Sequence, residues 1–300
     1  MTLNEKIQSG QFIVCGEMGP PQSANGDSIR KKSRHFKDIV DVVNITDNQT
    51  AIVRLSSIAA AKILKDEGVE PIIQMTCRDR NRIAIQSDLL GAWALGIENV
   101  LCLTGDYMKF GNHPEARPVF DLDSVQLVAT VKQMNEGSFL SGDSMKTPPS
   151  FCIGAAANPF GEPFEMRLIR LEKKINAGTH FIQTQPVFDL ERFVMWMREA
   201  VRLGLHERTA ILAGIMPVKS AKALEYMKEE VPGVRIDPIY IDRLSKAEDA
   251  KEEGVRIAVE LIHEIRKVPG VRGIHLMPVM WESITPTVIQ EAGLSEGQAK

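Results

Sequence analysis

The sequence predicts a (β/α)8 TIM barrel spanning residues 1–300 as one domain, on three observations. Short apolar stretches rich in β-branched residues alternate with helical patterns from end to end. The stretches are apolar on both faces, as strands of a buried parallel sheet are. Several of them end in one polar residue: Glu17 after FIVCG, Thr46 after VVNI, Thr76 after PIIQM, Asp106 after LCLTG and Gln185 after FIQT. Strands that each deliver a chemical group at the same end describe an enzyme built on a barrel.

In chain order the strands are expected at 12–16, 41–46, 71–76, 99–104, 151–155, 179–184, 209–214 and 271–276. Helices are expected at 28–38, 55–66, 81–95, 121–136, 162–177, 189–203, 218–230 and 247–266. The third of these carries Ile85, Leu89 and Trp93 at four-residue spacing, one apolar stripe. Val255, Ala258, Val259, Ile262 and Ile265 form the stripe of the longest. A charged stretch, 237–253, reads as an added helical segment on the outer wall, and 284–292 as a short closing helix. The final SEGQAK reads as frayed. The loop 105–120 follows a strand's C-terminal end, where barrel sites are built, whereas 137–150 precedes a strand and reads as scaffold or an interaction loop. A doubly wound open sheet is the alternative. The first strand-to-helix turn, GEMGPPQSANGDS, lacks its GxGxxG pattern, and no P-loop occurs.

Composition narrows the function. With 44% hydrophobic and 25% charged residues in 300, the chain is long enough for a full core. A net charge of −3 and three tyrosines with three tryptophans argue against nucleic acid as a partner. Cys15, Cys77, Cys102 and Cys152 lack CxxC spacing and lie in or beside expected strands, so reduced buried thiols are expected and no metal site. The six histidines (His35, His113, His180, His206, His263, His275) show no HExxH or metal-spaced pair, and neither a metal nor a triad is assigned to them. No apolar signal core or membrane-length run is present, so a cytoplasmic protein is expected.

Four places carry chemistry. Glu17, in CGEMGPP, has few charged neighbours in sequence; desolvation there raises a carboxyl pKa and suits a general acid, against the alternative of a turn cap or an ion pair. Asp106 follows Gly105, whose backbone permits close approach to a planar ligand, though many tight turns read TGD. Gln183 and Gln185 around Thr184 offer the donors and acceptors that a heterocycle's edge needs, and Asp189 reads as the next helix's N-cap. Arg167, Arg170, Lys173 and Lys174 are either a solvated helix face or contacts to a pyrophosphate-bearing cofactor.

With these residues in order, the chain resembles the methylenetetrahydrofolate reductase family over nearly its whole length. The resemblance runs through Glu17 with Pro20-Pro21, Asn44-Ile45-Thr46, Met75-Thr76-Cys77-Arg78, Gly96 to Val100 running into Gly105-Asp106, Lys173-Lys174, Thr184-Gln185 with Phe188-Asp189, and Gly214 to Val218. The later segments VPG and GIHLMP look closest to acetogen-type and methyltransferase-fused members. The resemblance implies that reduced flavin passes hydride to 5,10-methylenetetrahydrofolate, giving 5-methyltetrahydrofolate in one-carbon metabolism and methionine biosynthesis. It implies Glu17 as the acid that opens the imidazolidine ring, Asp106 near flavin and pterin, and Gln185 on the folate. Cofactor contacts are implied at Thr46, Gln74, Leu103, Thr104, Gly105, Asp106, Phe120, Ala156, Asn158, Arg170, Lys173 and Lys174.

Three departures touch the flavin site: Thr104 where many bacterial members carry Arg, Gln74 where they carry His, and the loop GAAANP without their Tyr and His. FAD is the expected cofactor and FMN the alternative. Ala221 stands where the NADH-using bacterial members stack an aromatic on nicotinamide. NAD(P)H is therefore one expected electron donor and a partner subunit the other; a homo-oligomer is also open. Two other functional classes remain: an electron-relay flavoprotein subunit, and an unrelated pterin-binding barrel methyltransferase without flavin.

Overall fold

Eight parallel strands close on themselves in sequence order in the computed structural model, which describes residues 1–231 and 233–295. They are β1 (Ile13–Met18), β2 (Val42–Ile45), β3 (Pro71–Thr76), β4 (Asn99–Leu103), β5 (Cys152–Ala157), β6 (Phe181–Pro186), β7 (Ala210–Ile215) and β8 (Val271–Leu276). Pairing of β1 with β8, Cys15 opposite His275, completes the barrel and rules out the open sheet. The expected end SEGQAK lies, from Glu296 on, outside the described residues.

Two apolar layers follow from strand alternation. Outward side chains such as Val43, Ile73, Val100 and Ile182 pack beneath the helices. Inward ones such as Ile13, Val42, Ile72, Leu101 and Phe181 fill the lumen's lower half. A Cβ on Gly154 would lie 2.1 Å from the Phe181 ring, so the absence of a side chain on β5 is what admits that ring. The lower opening receives Leu3, from a helix α1 (Leu3–Ser9) that the helical pattern did not predict. Its Thr2–Glu5 capping box was a legible signal, but a helix of seven residues shows too little periodicity.

The outer ring is α2 (Asp27–Ser33), α3 (Ser57–Asp66), α4 (Arg82–Ala94), α5 (Ser124–Asn135), α6 (Phe164–Ala177) and α7 (Leu190–Arg202), followed by a single turn, α8 (Leu205–Arg208). α2 stops five residues before its expected end at 38; the chain turns there, and Asp38 has φ +61°. Three helices separate β7 from β8: α9 (Ala221–Glu230), α10 (Pro238–Lys246) and α11 (Ala250–Ile265). The segment expected at 237–253 is thus two pieces, because Asp249 accepts hydrogen bonds from the Lys251 and Glu252 amides and starts a new helix. Arg243 joins the pieces, reaching Glu253 at 2.7 Å and Glu260 at 2.6 Å. The closing helix is α12 (Thr285–Glu291). Among the described residues no helix is long and apolar enough to cross a membrane, and all four cysteines are free and buried.

Candidate active site

The polar strand ends gather at the C-terminal mouth of the barrel. A cavity of about 850 Å3 there is lined by Glu17, Gln74, Asp106, Gln185 and His275, among others. A smaller groove of about 320 Å3 runs beside it over β4, β5 and α6. Leu103, Thr104, Ala156 and Gln185 line both, so the two spaces share one wall.

Glu17 lines the large cavity and is 9% exposed. Strand register sets Asn44 opposite it, and Asn44 Nδ2 donates to Glu17 Oε2 at 3.2 Å. His275 Nε2 stands 3.3 Å from the same oxygen. The expectation that Glu17 has few partners holds along the chain but not in space: its neighbours come from β2 and β8. His275, to which the sequence assigned no role, is the residue most directly missed.

Asp106 stands at the rim and is exposed. Its Oδ2 accepts the Thr50 amide at 2.8 Å. That amide is presented by a strained loop: Asn48, Thr50 and Ala51 have φ of +45°, +57° and +55° without being glycine. Arg78, 1% exposed, pins both loops, donating to Asn48 O at 3.1 Å and Asp106 O at 3.4 Å. Gly105 has φ +99°, and a Cβ there would come within 2.8 Å of Arg78 Cβ. The glycine before Asp106 is therefore required by the backbone and by the packed arginine.

The same wall carries an ion network that sequence reasoning also missed. The Asp47 side chain is fully buried and accepts from the Thr76 amide, the Thr76 hydroxyl and Arg80 at 3.0, 2.8 and 2.7 Å. The Asp47 amide donates to Gln74 Oε1 at 3.4 Å, which orients a side chain of the cavity floor. On β6, Thr184 Oγ1 accepts the Gly214 amide at 2.9 Å, and the sheet register shifts between Gln183 and Pro186. This irregularity brings Gln183 and Gln185 both to the cavity.

The small groove is cationic. Arg167, Arg170 and Lys174 line it from one face of α6, and among the described residues no carboxylate does. Arg167 Nε is buried without a hydrogen-bond partner. Lys174 Nζ donates to Ala156 O at 2.5 Å, and burial together with Arg170 pushes its pKa down to about 8. Asn158 also lines the groove, and Thr104 Oγ1 there accepts the Ser124 amide at 3.2 Å.

Three of the expected cofactor contacts stand apart from both spaces. Lys173 is exposed, one helical position off the lining face. Thr46 is buried, its Oγ1 without a partner, and lines neither space. Phe120, at φ +42°, is held by its amide to Cys77 O at 3.1 Å and also lines neither.

Comparison with known proteins gives consistent results. The family model described as methylenetetrahydrofolate reductase matches residues 2–293. A 5,10-methylenetetrahydrofolate reductase of Pectobacterium carotovorum is 24% identical over 312 residues, covering 99% of this chain and 96% of the relative. Methylenetetrahydrofolate reductase 1 of Schizosaccharomyces pombe is 25% identical over 242 residues, covering 77% of this chain and 37% of the relative. The chain spans less than half the length of the Schizosaccharomyces pombe and Caenorhabditis elegans relatives, 37% to 47%. A solved structure described as an uncharacterized protein from Clostridium thermocellum that binds two copies of 5-methyl-5,6,7,8-tetrahydrofolic acid superposes with a TM-score of 0.67. It is 17% identical, with 98% of this chain and 99% of that one covered, a likeness of fold.

Proposed function

The chain belongs to the methylenetetrahydrofolate reductase family, and from that premise we propose that it reduces 5,10-methylenetetrahydrofolate to 5-methyltetrahydrofolate with a bound flavin. The observation that carries the reading is one cavity holding Glu17, Asp106 and Gln185, an acid, a rim carboxylate and an amide. The folate bound by the similarly folded Clostridium protein is in keeping with it.

Each residue has a defined task. Glu17 protonates N10 of the substrate; the bond from N10 to the methylene carbon breaks, its electron pair stays on N10, and a cationic iminium forms at N5. Asp106 stabilises that cation by charge once the Thr50 amide is displaced or shared. Gln185 reads the pterin edge, where an amide offers both a donor and an acceptor. The flavin, when bound, supplies the hydride.

The donor set fits a dinucleotide. A desolvated Lys174, Arg170 and an Arg167 whose Nε has no partner among the described residues form a cation cluster with no carboxylate in the described lining, as a pyrophosphate requires. FAD is therefore preferred over FMN. The proposed contact set keeps Gln74, Leu103, Thr104, Gly105, Asp106, Ala156, Asn158, Arg170 and Lys174, adds Arg167, and leaves out Lys173, Thr46 and Phe120.

Lys174 gives a pH dependence of known sign. Its charge attracts the pyrophosphate and is present below about 8 in the unliganded protein. FAD affinity is expected to fall as pH rises through that value, and Lys174→Met is expected to abolish the slope. Equilibrium dialysis at several pH values checks both.

Electron supply is read from the wall after β7. Ala221 offers no ring to stack on nicotinamide, which favours delivery by a partner protein over direct use of NAD(P)H. Tyr226, exposed and lining the cavity one turn further along α9, is the aromatic that a nicotinamide would have to use instead. Assay of the purified chain with methylenetetrahydrofolate and either reduced dye or NADH tests the reading. Turnover with dye alone supports a partner-fed enzyme. Failure to take up any flavin overturns the proposal.

A further inference from the structure

His275 is buried in the barrel lumen, 4% exposed, yet among the described residues neither of its ring nitrogens has a hydrogen-bond partner. A neutral imidazole must carry a proton on one nitrogen, so one donor is buried unspent. Nε2 lies 3.3 Å from Glu17 Oε2, within reach of a hydrogen bond once the two groups align. Asn44 Nδ2 binds that same oxygen at 3.2 Å, so Oε2 is directed inward to β2 and β8. Among the described residues none donates a hydrogen bond to Oε1, the oxygen left for a substrate.

We infer that His275 is the proton reservoir of Glu17. The inference rests on the reading of Glu17 as the ring-opening acid. Nε2 of the imidazolium passes its proton to Oε2 of the ionised Glu17, and rotation of the carboxyl presents that proton to N10. The N10–methylene electron pair stays on N10, and His275 is left neutral. Solvent entering at the cavity mouth reprotonates His275, and rotation of the carboxyl restores the starting state. The net change is one proton moved from water to N10, with no electron transferred in this step.

The surroundings favour such a pair. On β1 the titratable groups beside His275 are Glu17 and Cys15, and β7 contributes none, its residues being AILAGI. Burial, then the Glu17 carboxylate, push the Cys15 thiol well above its ordinary value, so it stays neutral. Asn44 and Gln183, which also reach into the lumen, are uncharged. Asp47, Arg78, Asp106, Lys219 and Lys222 are the charged groups elsewhere on the cavity wall. Glu17 is thus the acidic group that His275 meets directly.

His275→Gln tests the assignment, because its amide can replace the hydrogen bond but cannot carry a proton. With reduced dye and methylenetetrahydrofolate, kcat is expected to fall about a hundredfold, while KM stays within about twofold and FAD content is unchanged. The parent rate is expected to decline as pH rises and the imidazolium is lost, and the variant is expected to lose that limb. Glu17→Gln separates the two claims. If it retains the parent rate, the acid reading itself falls. If it is inactive while His275→Gln keeps the parent rate and pH profile, the reservoir is overturned and the acid stands. A measurement independent of variant folding uses nitrogen-15 histidine spectra of the parent protein. His275 is expected to hold its second proton to higher pH in the parent than in Glu17→Gln. A ring neutral throughout the active range overturns the inference.

Discussion

Glu17→Gln is expected to lose methylenetetrahydrofolate reduction by about a thousandfold while FAD remains bound. The amide keeps the shape and still accepts from Asn44, but it holds no proton acidic enough to open the substrate ring. Flavin retention is expected because the cation cluster that would hold the pyrophosphate lies in the small groove, which Glu17 does not line. Steady-state rates with reduced dye, beside the flavin spectrum of the same preparation, check both halves. Loss of flavin in the variant would make Glu17 a structural residue.

Asp47→Ala is expected to destabilise the fold by about 3–5 kcal/mol, the effect of breaking a buried ion pair from one side. The carboxylate is fully buried, and its removal leaves Arg80, at 13% exposure, with Asp88 as its remaining partner and strands the Thr76 amide and hydroxyl. In a chain of this size such a loss lowers the thermal midpoint by on the order of 10 °C. Asp47→Asn keeps an acceptor for Thr76 and is expected to cost less. Paired thermal melts measure the difference. A midpoint for Asp47→Ala equal to the parent's would show that water or another residue takes over the network.

The barrel was legible in the sequence because its strands are apolar on both faces and its helices carry a separate periodicity. The short α1 escaped: it packs its Leu3 into the lumen, a contact that depends on barrel closure. The site was legible where a residue sits at a strand end, as Glu17, Asp106 and Gln185 do. It was not legible where closure creates the contact. His275 and Glu17 come from the last and first strands and meet because β8 pairs with β1. Asp47 lies just past a strand end, but its hydrogen-bonded neighbours Thr76 and Arg80 come from β3 and the loop after it. The choice between Lys173 and Lys174 is a question of helical phase: Arg167, Arg170 and Lys174 recur at i, i+3 and i+7, and Lys173 falls off that line. That signal was present in the sequence before the fold was known.

The central claim is that the mouth of this barrel brings a reduced flavin and a methylenetetrahydrofolate together beside Glu17. Anaerobic mixing of the flavin-reduced protein with methylenetetrahydrofolate, followed by absorbance through one turnover, tests it directly. The yellow of oxidised flavin is expected to return with formation of one 5-methyltetrahydrofolate per flavin, and to fail to return in Glu17→Gln. Flavin that stays reduced in the parent protein, or reoxidises without product, would contradict the account.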